Sequence, residues 1–406
     1  ISLGLVGSEM CIRDRYYDIV VVGAGPAGLV LASLLKDQGL SIALIDKNSR
    51  QELANPPFDG REIALTHFTH HILEKTDILA HISPQHVYPL KEAKVINGTS
   101  DYALHFPQPT YARGKACDQL GFLIPNCDIR KAAYENVSQL NNVHLYADCS
   151  VSEVETDNQS VSVDLANGET ITASLLVCAD GRFSKIRSSL GIPIDTHQFG
   201  RSVICFRAHH QKSNEHTARE CFFYGRTLAI LPLEEHLSSM VITIDSPKAT
   251  DLMNLSKEAM NQELLILTKG LLGKIEVEDK RFTYPLVGVH ARRFFAHRAA
   301  LIGDAAVGMH PVTAHGFNLG AESAAQLSYL ILEAKKKDAD IGNETLLERY
   351  NLRQQLITRP LYHGTNFVVG LFVDESPAAR LLRKAVIHMG NHLSPLKYLI
   401  SKRLTG

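Results

Sequence analysis

Three stretches of this chain carry residue types suited to holding a phosphorylated cofactor. The first is Gly23-Ala24-Gly25-Pro26-Ala27-Gly28. Gly23 permits a tight turn, Gly25 lets the backbone approach a pyrophosphate, and Gly28 allows a helix to pack closely on a strand. The helix that follows offers free N–H groups and the positive end of its dipole to an anion. Alone, GxGxxG is a weak signal. Here it follows the apolar run 17–22 and opens a helical pattern over 28–38. Asp46 ends the next apolar strand, where a ribose-binding carboxylate belongs. A carboxylate favours a free ribose 2′-hydroxyl. FAD and NAD both have one, so the first stretch leaves both open. The second stretch runs from Cys178-Ala179-Asp180-Gly181-Arg182 to Arg187, after the buried strand 175–179. The third is Leu301-Ile302-Gly303-Asp304-Ala305-Ala306, continuing through Met309-His310-Pro311 to Gly316-Phe317-Asn318-Leu319-Gly320.

Other chemistries find little support. The seven cysteines include no CxxC pair and no zinc-finger spacing. An odd count is a poor disulfide framework, and a reducing cytoplasm is the simplest setting. His67, His70 and His71 lie on one helical pattern, but no carboxylate or cysteine completes a metal site, and no metal is expected. GxSxG and P-loop signatures are missing, which argues against a common α/β hydrolase and against NTP hydrolysis. A net charge of -1 supplies no global basic field, so nucleic acid is not an expected partner. With 45% hydrophobic and 21% charged residues, the chain reads as globular, not disordered, collagen-like or coiled-coil. The longest uncharged run, 19–35, falls short of the about 20 residues a membrane span needs. Residues 1–15 resemble no signal peptide and read as a disordered lead or a non-native fusion scar.

The elements that must position these stretches follow from periodicity. Strand 17–22, helix 28–38 and strand 41–46 form a parallel βαβ unit. Residues 64–79, 129–140, 251–272 and 321–336 carry helical patterns, with Asp128 as a candidate N-cap. Segments 203–208, 220–223, 227–232 and 239–244 read as an antiparallel sheet. The fold class expected is therefore α/β, with a parallel sheet interrupted by a mostly β insertion and followed by a helical C-terminus.

Taken together and in order, the three Gly/Asp turns resemble the FAD-dependent aromatic hydroxylases, the class A flavoprotein monooxygenases. The resemblance covers residues 16–350. Phe58-Asp59-Gly60-Arg61-Glu62-Ile63-Ala64-Leu65, Cys221-Phe222-Phe223-Tyr224 with Leu231-Pro232-Leu233, and Tyr284-Pro285-Leu286-Val287 look like the ubiquinone-biosynthesis hydroxylase branch (UbiH/UbiF). The stretch from Gly303 to Asn318 is most similar to its UbiM type. The wider branch usually carries His where Val307 stands, Gln where His315 stands and Asp where Ser323 stands. These departures leave the backbone roles of Gly303, Gly316 and Asn318 in place.

The resemblance implies a Rossmann-like (GR2-type) FAD-binding domain built from residues 16–85, 113–190 and 285–345. It implies a substrate domain from 86–112 and 191–284, and a C-terminal helical region at 346–406. Gly23, Gly25 and Gly28 would hold the FAD pyrophosphate, and Asp46, with Lys47 beside it, the adenosine ribose. Arg61 and Arg130 would reach the phosphate and ribityl region. Gly303 belongs to the turn that carries Asp304, which would accept hydrogen bonds from ribityl hydroxyls. Asp180 would lie by the pyrophosphate and towards the reducing nucleotide. Gly316, Phe317 and Asn318 would face the flavin pyrimidine edge, where helix N–H groups stabilise the negative charge of reduced flavin. His310 and His315 are candidates to orient a phenol or assist its proton loss, since His titrates near neutral pH.

The implied reaction hydroxylates the aromatic ring of a polyprenylated phenol through a flavin C4a-hydroperoxide. O₂ and a reductant, NAD(P)H, would be co-substrates. Such a reaction needs an apolar, water-excluding pocket, with Phe222, Phe223 and Tyr224 expected in its wall. Two alternatives use the same motifs: a flavin hydroxylase of a soluble aromatic, and a non-catalytic FAD-binding assembly protein. The expected location is cytoplasmic. A polyprenyl tail adds peripheral contact with the inner membrane face, or a ubiquinone-biosynthesis complex. The basic stretch from residue 377, with Arg380, Arg383, Lys384, Lys397, Lys402 and Arg403, is the candidate contact.

Overall fold

The fold was analysed in a computed structural model. It describes residues 15–98, 103–109, 111–112, 115–223, 225–310 and 316–374, with 376, 379, 382, 383 and 388 beyond. The β-branched and apolar strand Arg15–Val22 lies between Ile42–Ile45 and Thr170–Cys178, all parallel, with Val143–Tyr146 and Ala299–Leu301 outside them. Ile19, Val20, Leu44 and Leu176 are fully buried because helices cover both faces. Burying each such side chain contributes about 1.5–3 kcal/mol. The helix Pro26–Leu34 packs on Asn126–Ser138 and on Gly316–Lys335. Parallel order brings the carboxyl ends of the central strands together, which is where open α/β sheets bind ligands.

A second sheet runs in the order 307–308, 275–291, 194–210, 237–245, 226–232, 217–223, 92–97, 103–106. Its back face packs on the helices Ser246–Met253 and Lys257–Leu267 through Phe206, Leu228, Met240, Met260 and Leu264. A small sheet of Glu62–Leu65, Gly121–Pro125 and Tyr88–Leu90 sits beside it. The helix Glu344–Val373 closes the described chain.

Several elements differ from the periodic reading. Residues 64–79 form a strand end, then the helix His67–Lys75 capped by Thr66. The 251–272 pattern divides where Ser256 caps a second helix. Asp128 is not an N-cap. The helix starts at Asn126, and the carboxylate sits in its first turn, favourable to the dipole. The strand Ile275–Ala291 runs through residue 285, and Val307–Gly308 pairs with it. One strand therefore joins the cofactor turns to the second sheet.

Candidate active site

The first turn is built by close backbone approach. Gly23 has φ +110, and a Cβ there would meet Ala179 O at 2.3 Å. A Cβ on Gly28 would meet Gly23 O at 2.1 Å. Both positions admit only glycine. Gly25 is different, because a Cβ there would meet nothing within 4 Å. It is the N-cap of Pro26–Leu34 and supplies no side-chain cap, so the first-turn N–H groups have no capping side chain. Asp46 is fixed at the adjoining strand end, accepting from Ala24 N–H at 2.7 Å and Asn48 N–H at 2.8 Å. A carboxylate has further lone pairs for ribose hydroxyls. Lys47 is exposed beside it.

The second and third turns interlock. Gly303 has φ +59, and its Cβ would meet Ala27 Cβ at 2.8 Å, so the Gly303-Asp304 turn rests on the first helix. Arg187, nearly fully buried, donates to Arg182 O at 3.2 Å and to Ala305 O at 2.9 Å. Arg182 donates to Val287 O at 2.8 Å and to Asp304 Oδ2 at 2.9 Å. Asp304 keeps an accessible face beyond that pair. Asp180 Oδ2 accepts from Ile186 N–H at 3.4 Å, while its buried Oδ1 has no protein partner. Ser323 Oγ accepts from Gly303 N–H at 3.3 Å and donates to Gly320 O at 2.8 Å. The short hydroxyl thereby clamps the turn to the helix Gly316–Lys335.

These observations fit FAD. The helix N-terminus has no capping side chain, a buried carboxylate oxygen awaits a donor, and carboxylates stand at both ends of the row of turns. Donors for pyrophosphate and acceptors for hydroxyls are therefore both present.

The structure redistributes other expected roles. Arg61 pairs with Asp59 at 2.5 Å and lies 5.4 Å over the Tyr284 ring. Asp59, then Tyr284 and Asp304, outweigh partial desolvation and hold the half-exposed guanidinium charged. Arg130 is half-buried on Asn126–Ser138. The Asn318 side chain accepts from Thr66 N–H at 3.0 Å and donates to Ala64 O at 2.8 Å. It thus pins the small sheet to the helix. Phe317 packs on the main core, and Gly316 has open space around it.

His310 does not titrate near neutrality. Burial first, then the charges of Arg201 and Arg182, lower its pKa to about 4. Its ring meets Phe199 edge-on at 4.9 Å. At neutral pH it is a neutral imidazole. His315 and Tyr224 lie outside the described residues, as do residues 1–14 and most of the basic stretch after 376.

Strand alternation separates the expected aromatic wall. Phe222 lies on the front face with Val95, Leu104, Val368 and Leu371, whereas Phe223 packs with the back core. The front face also carries Glu220, which the sequence reading passed over. Register places Glu220 in one row with Ala229, Val241 and Cys205. The residue is partly buried and protein surrounds its carboxyl. Burial raises its pKa to about 8, against a hydrogen bond from Thr227. The available signal was a lone acid inside the strand Thr217–Phe223. Arg182, Arg187 and Ser323 were also missed as site residues. Their roles depend on turns that meet only in three dimensions.

The three interlocked turns and the second sheet define a flavoprotein of the FAD-dependent monooxygenase fold. The chain belongs to the family described as FAD binding domain, whose model matches residues 16–362. It is 51% identical over 405 residues to ubiquinone hydroxylase UbiM of Neisseria meningitidis, covering 99% of this chain and 88% of that one. Ubiquinone hydroxylase UbiL of Rhodospirillum rubrum is 31% identical, with 97% and 90% covered. Among solved structures, p-nitrophenol 4-monooxygenase PnpA of Pseudomonas putida superposes with a TM-score of 0.76 at 20% identity, covering 97% of this chain and 99% of that one.

Proposed function

We propose that this chain is an FAD-dependent monooxygenase that hydroxylates the aromatic ring of a polyprenylated intermediate in ubiquinone synthesis. The observation that carries this reading is the 51% identity to ubiquinone hydroxylase UbiM across almost the whole chain, set on turns that fit FAD. Bound FAD, once reduced, supplies the activation of O₂ that no side chain can provide. The protein's own residues bind, orient and keep water out.

The first-turn N–H groups beyond Pro26 would hold the pyrophosphate, and Asp46 and Asp304 would hold hydroxyls at its two ends. Arg182 neutralises Asp304 and fixes its direction. The dipole of Gly316–Lys335 steadies negative charge at the flavin pyrimidine edge. Residues 16–85, 113–190 and 285–345 serve the cofactor, and 86–112 and 191–284 form the substrate unit. Phe222, Leu371 and Val368 dry the substrate side. Neutral His310 orients the ring through hydrogen bonding rather than by carrying charge. A polyprenyl tail implies contact with a membrane or a lipid-presenting partner. No helix among the described residues is long and apolar enough to cross a membrane.

The test is expression in a bacterium lacking its ubiquinone hydroxylases, with the purified protein's visible spectrum recorded in parallel. Bound flavin together with restored ubiquinone is expected. Bound flavin without restoration overturns the substrate, and folded protein that takes up no flavin overturns the whole reading.

A further inference from the structure

The helix Glu344–Val373 has two unlike faces. Its inner face holds the machinery together. Tyr350 donates to Leu301 O at 2.8 Å, just before the Gly303-Asp304 turn. Thr358 meets buried His290 at 3.0 Å. Val368 and Leu371 cover Phe222 on the front face of the second sheet. The outer face has no described protein cover. Arg349, Leu352, Arg353, Leu356, Arg359, Pro360, His363 and Phe367 are all exposed, at the spacing of one helical stripe. Leu352, Leu356 and Phe367 are 63%, 69% and 63% exposed, and they share one face of the helix.

Exposed Glu348 stands at the edge of the stripe's first turn, and beyond it the charge has one sign. From residue 349 to 373 the sequence contains no Asp or Glu. Arg349 reaches Glu333 of the neighbouring helix at 3.3 Å, while Arg353 and Arg359 stand among the exposed apolar side chains. The stripe from 349 to 370 extends about 32 Å. Large apolar side chains alternating with arginines on one face match a helix lying in the plane of an anionic lipid surface. The apolar groups enter the acyl boundary while the guanidinium groups stay at the headgroups.

We propose that the outer face of Glu344–Val373 docks this protein on an anionic membrane surface, with Leu352, Leu356 and Phe367 as the inserted groups. The inner face of the same helix covers Phe222, Val95 and Leu104. Docking therefore sets the apolar edge of the second sheet close to the lipid. A substrate tail could then stay in the bilayer while its ring enters. This last step rests on the function proposed above; the docking itself does not. The contact also falls on a different segment from the basic stretch after residue 376.

The full-length flavoprotein is sedimented with vesicles of phosphatidylcholine alone or mixed with phosphatidylglycerol. Binding to the mixed vesicles, weakened by salt, is expected. The triple variant Leu352→Gln, Leu356→Gln, Phe367→Gln should lose about tenfold or more in vesicle affinity while keeping its flavin spectrum and circular dichroism. Arg353→Gln with Arg359→Gln should reduce the preference for phosphatidylglycerol. Lys397→Gln, Lys402→Gln, Arg403→Gln should bind as the parent does. No binding of the parent to either vesicle overturns the proposal, as does undiminished binding of the Leu/Phe triple variant. Loss confined to the Lys397 set moves the contact to the C-terminal stretch. Failure of the hydroxylation reading shows separately, as absence of product from the parent with a short-chain, water-soluble substrate and no vesicles.

Discussion

The cofactor turns and the front face of the second sheet solve different problems. At the turns, backbone meets backbone. Gly23 and Gly28 would place a Cβ within 2.3 Å of main-chain oxygen, and Gly303 rests against Ala27. On the front face, single side chains from separate strands meet. Glu220, Phe222 and Val241 are brought together by register and alternation. The first arrangement tolerates almost no substitution and is written locally. The second tolerates much and is written only across the fold.

The largest expected effects fall on the turns, and they separate two uses of glycine. Gly28→Val should abolish flavin binding and lower stability by several kcal/mol, since backbone blocks the new side chain. Gly25→Val should fold normally and still lose flavin, because its Cβ points at space the cofactor needs. Flavin absorbance per protein and thermal melting together distinguish the two. Normal flavin content in Gly25→Val would mean that the pyrophosphate does not approach here. A step smaller, Asp304→Ala should weaken FAD binding by about tenfold to a hundredfold, the worth of a hydrogen bond to a charged group. Titrating apoprotein with FAD checks it. Unchanged affinity would leave Asp304 only as the partner of Arg182.

What was legible in the sequence follows the same division. The glycine turns, the apolar strands before them and Asp46 sit within short windows, so local pattern identified them. The helices at 129–140 and 321–336 were legible for the same reason. Arg182 and Arg187 were visible in the second motif, but not their grip on Asp304 and Ala305, which lie far along the chain. Asn318 reads as a backbone residue until the strand Glu62–Leu65 is seen beside it. Phe222 and Phe223 look alike until alternation sends them to opposite faces. His310 looks titratable near neutrality until burial and two arginines are placed around it.

Two buried groups, His310 and Glu220, pull stability in opposite directions with pH. His310 titrates at about 4 in the fold, below its ordinary 6.5. Between those values the unfolded chain binds more protons, so stability falls as pH drops through that window. The loss is on the order of 3 kcal/mol. His290, also lowered to about 4 by burial and Arg359, adds to it. His310→Gln should melt with a shallower dependence between pH 6.5 and 4. An unchanged slope would show that the imidazole is solvated and outside the pocket.

Glu220 gives the smallest effect and the sharpest test of the front face. Its folded pKa of about 8 lies above the ordinary 4.5. Between those values the fold holds a proton that the unfolded chain releases, so stability falls as pH rises. Glu220→Gln keeps the size and a hydrogen-bond donor but cannot ionise, and should flatten that slope. Were the substrate ring held against this face, the neutral carboxyl would be a donor for its oxygen. Product formed per reduced flavin should therefore decline in the parent as pH passes about 8, and stay level in Glu220→Gln. Glu220→Leu keeps the burial but has no donor. It should release several-fold more hydrogen peroxide per turnover at unchanged FAD affinity, because the ring is held less firmly. If Leu and Gln variants couple equally well, Glu220 is a structural acid.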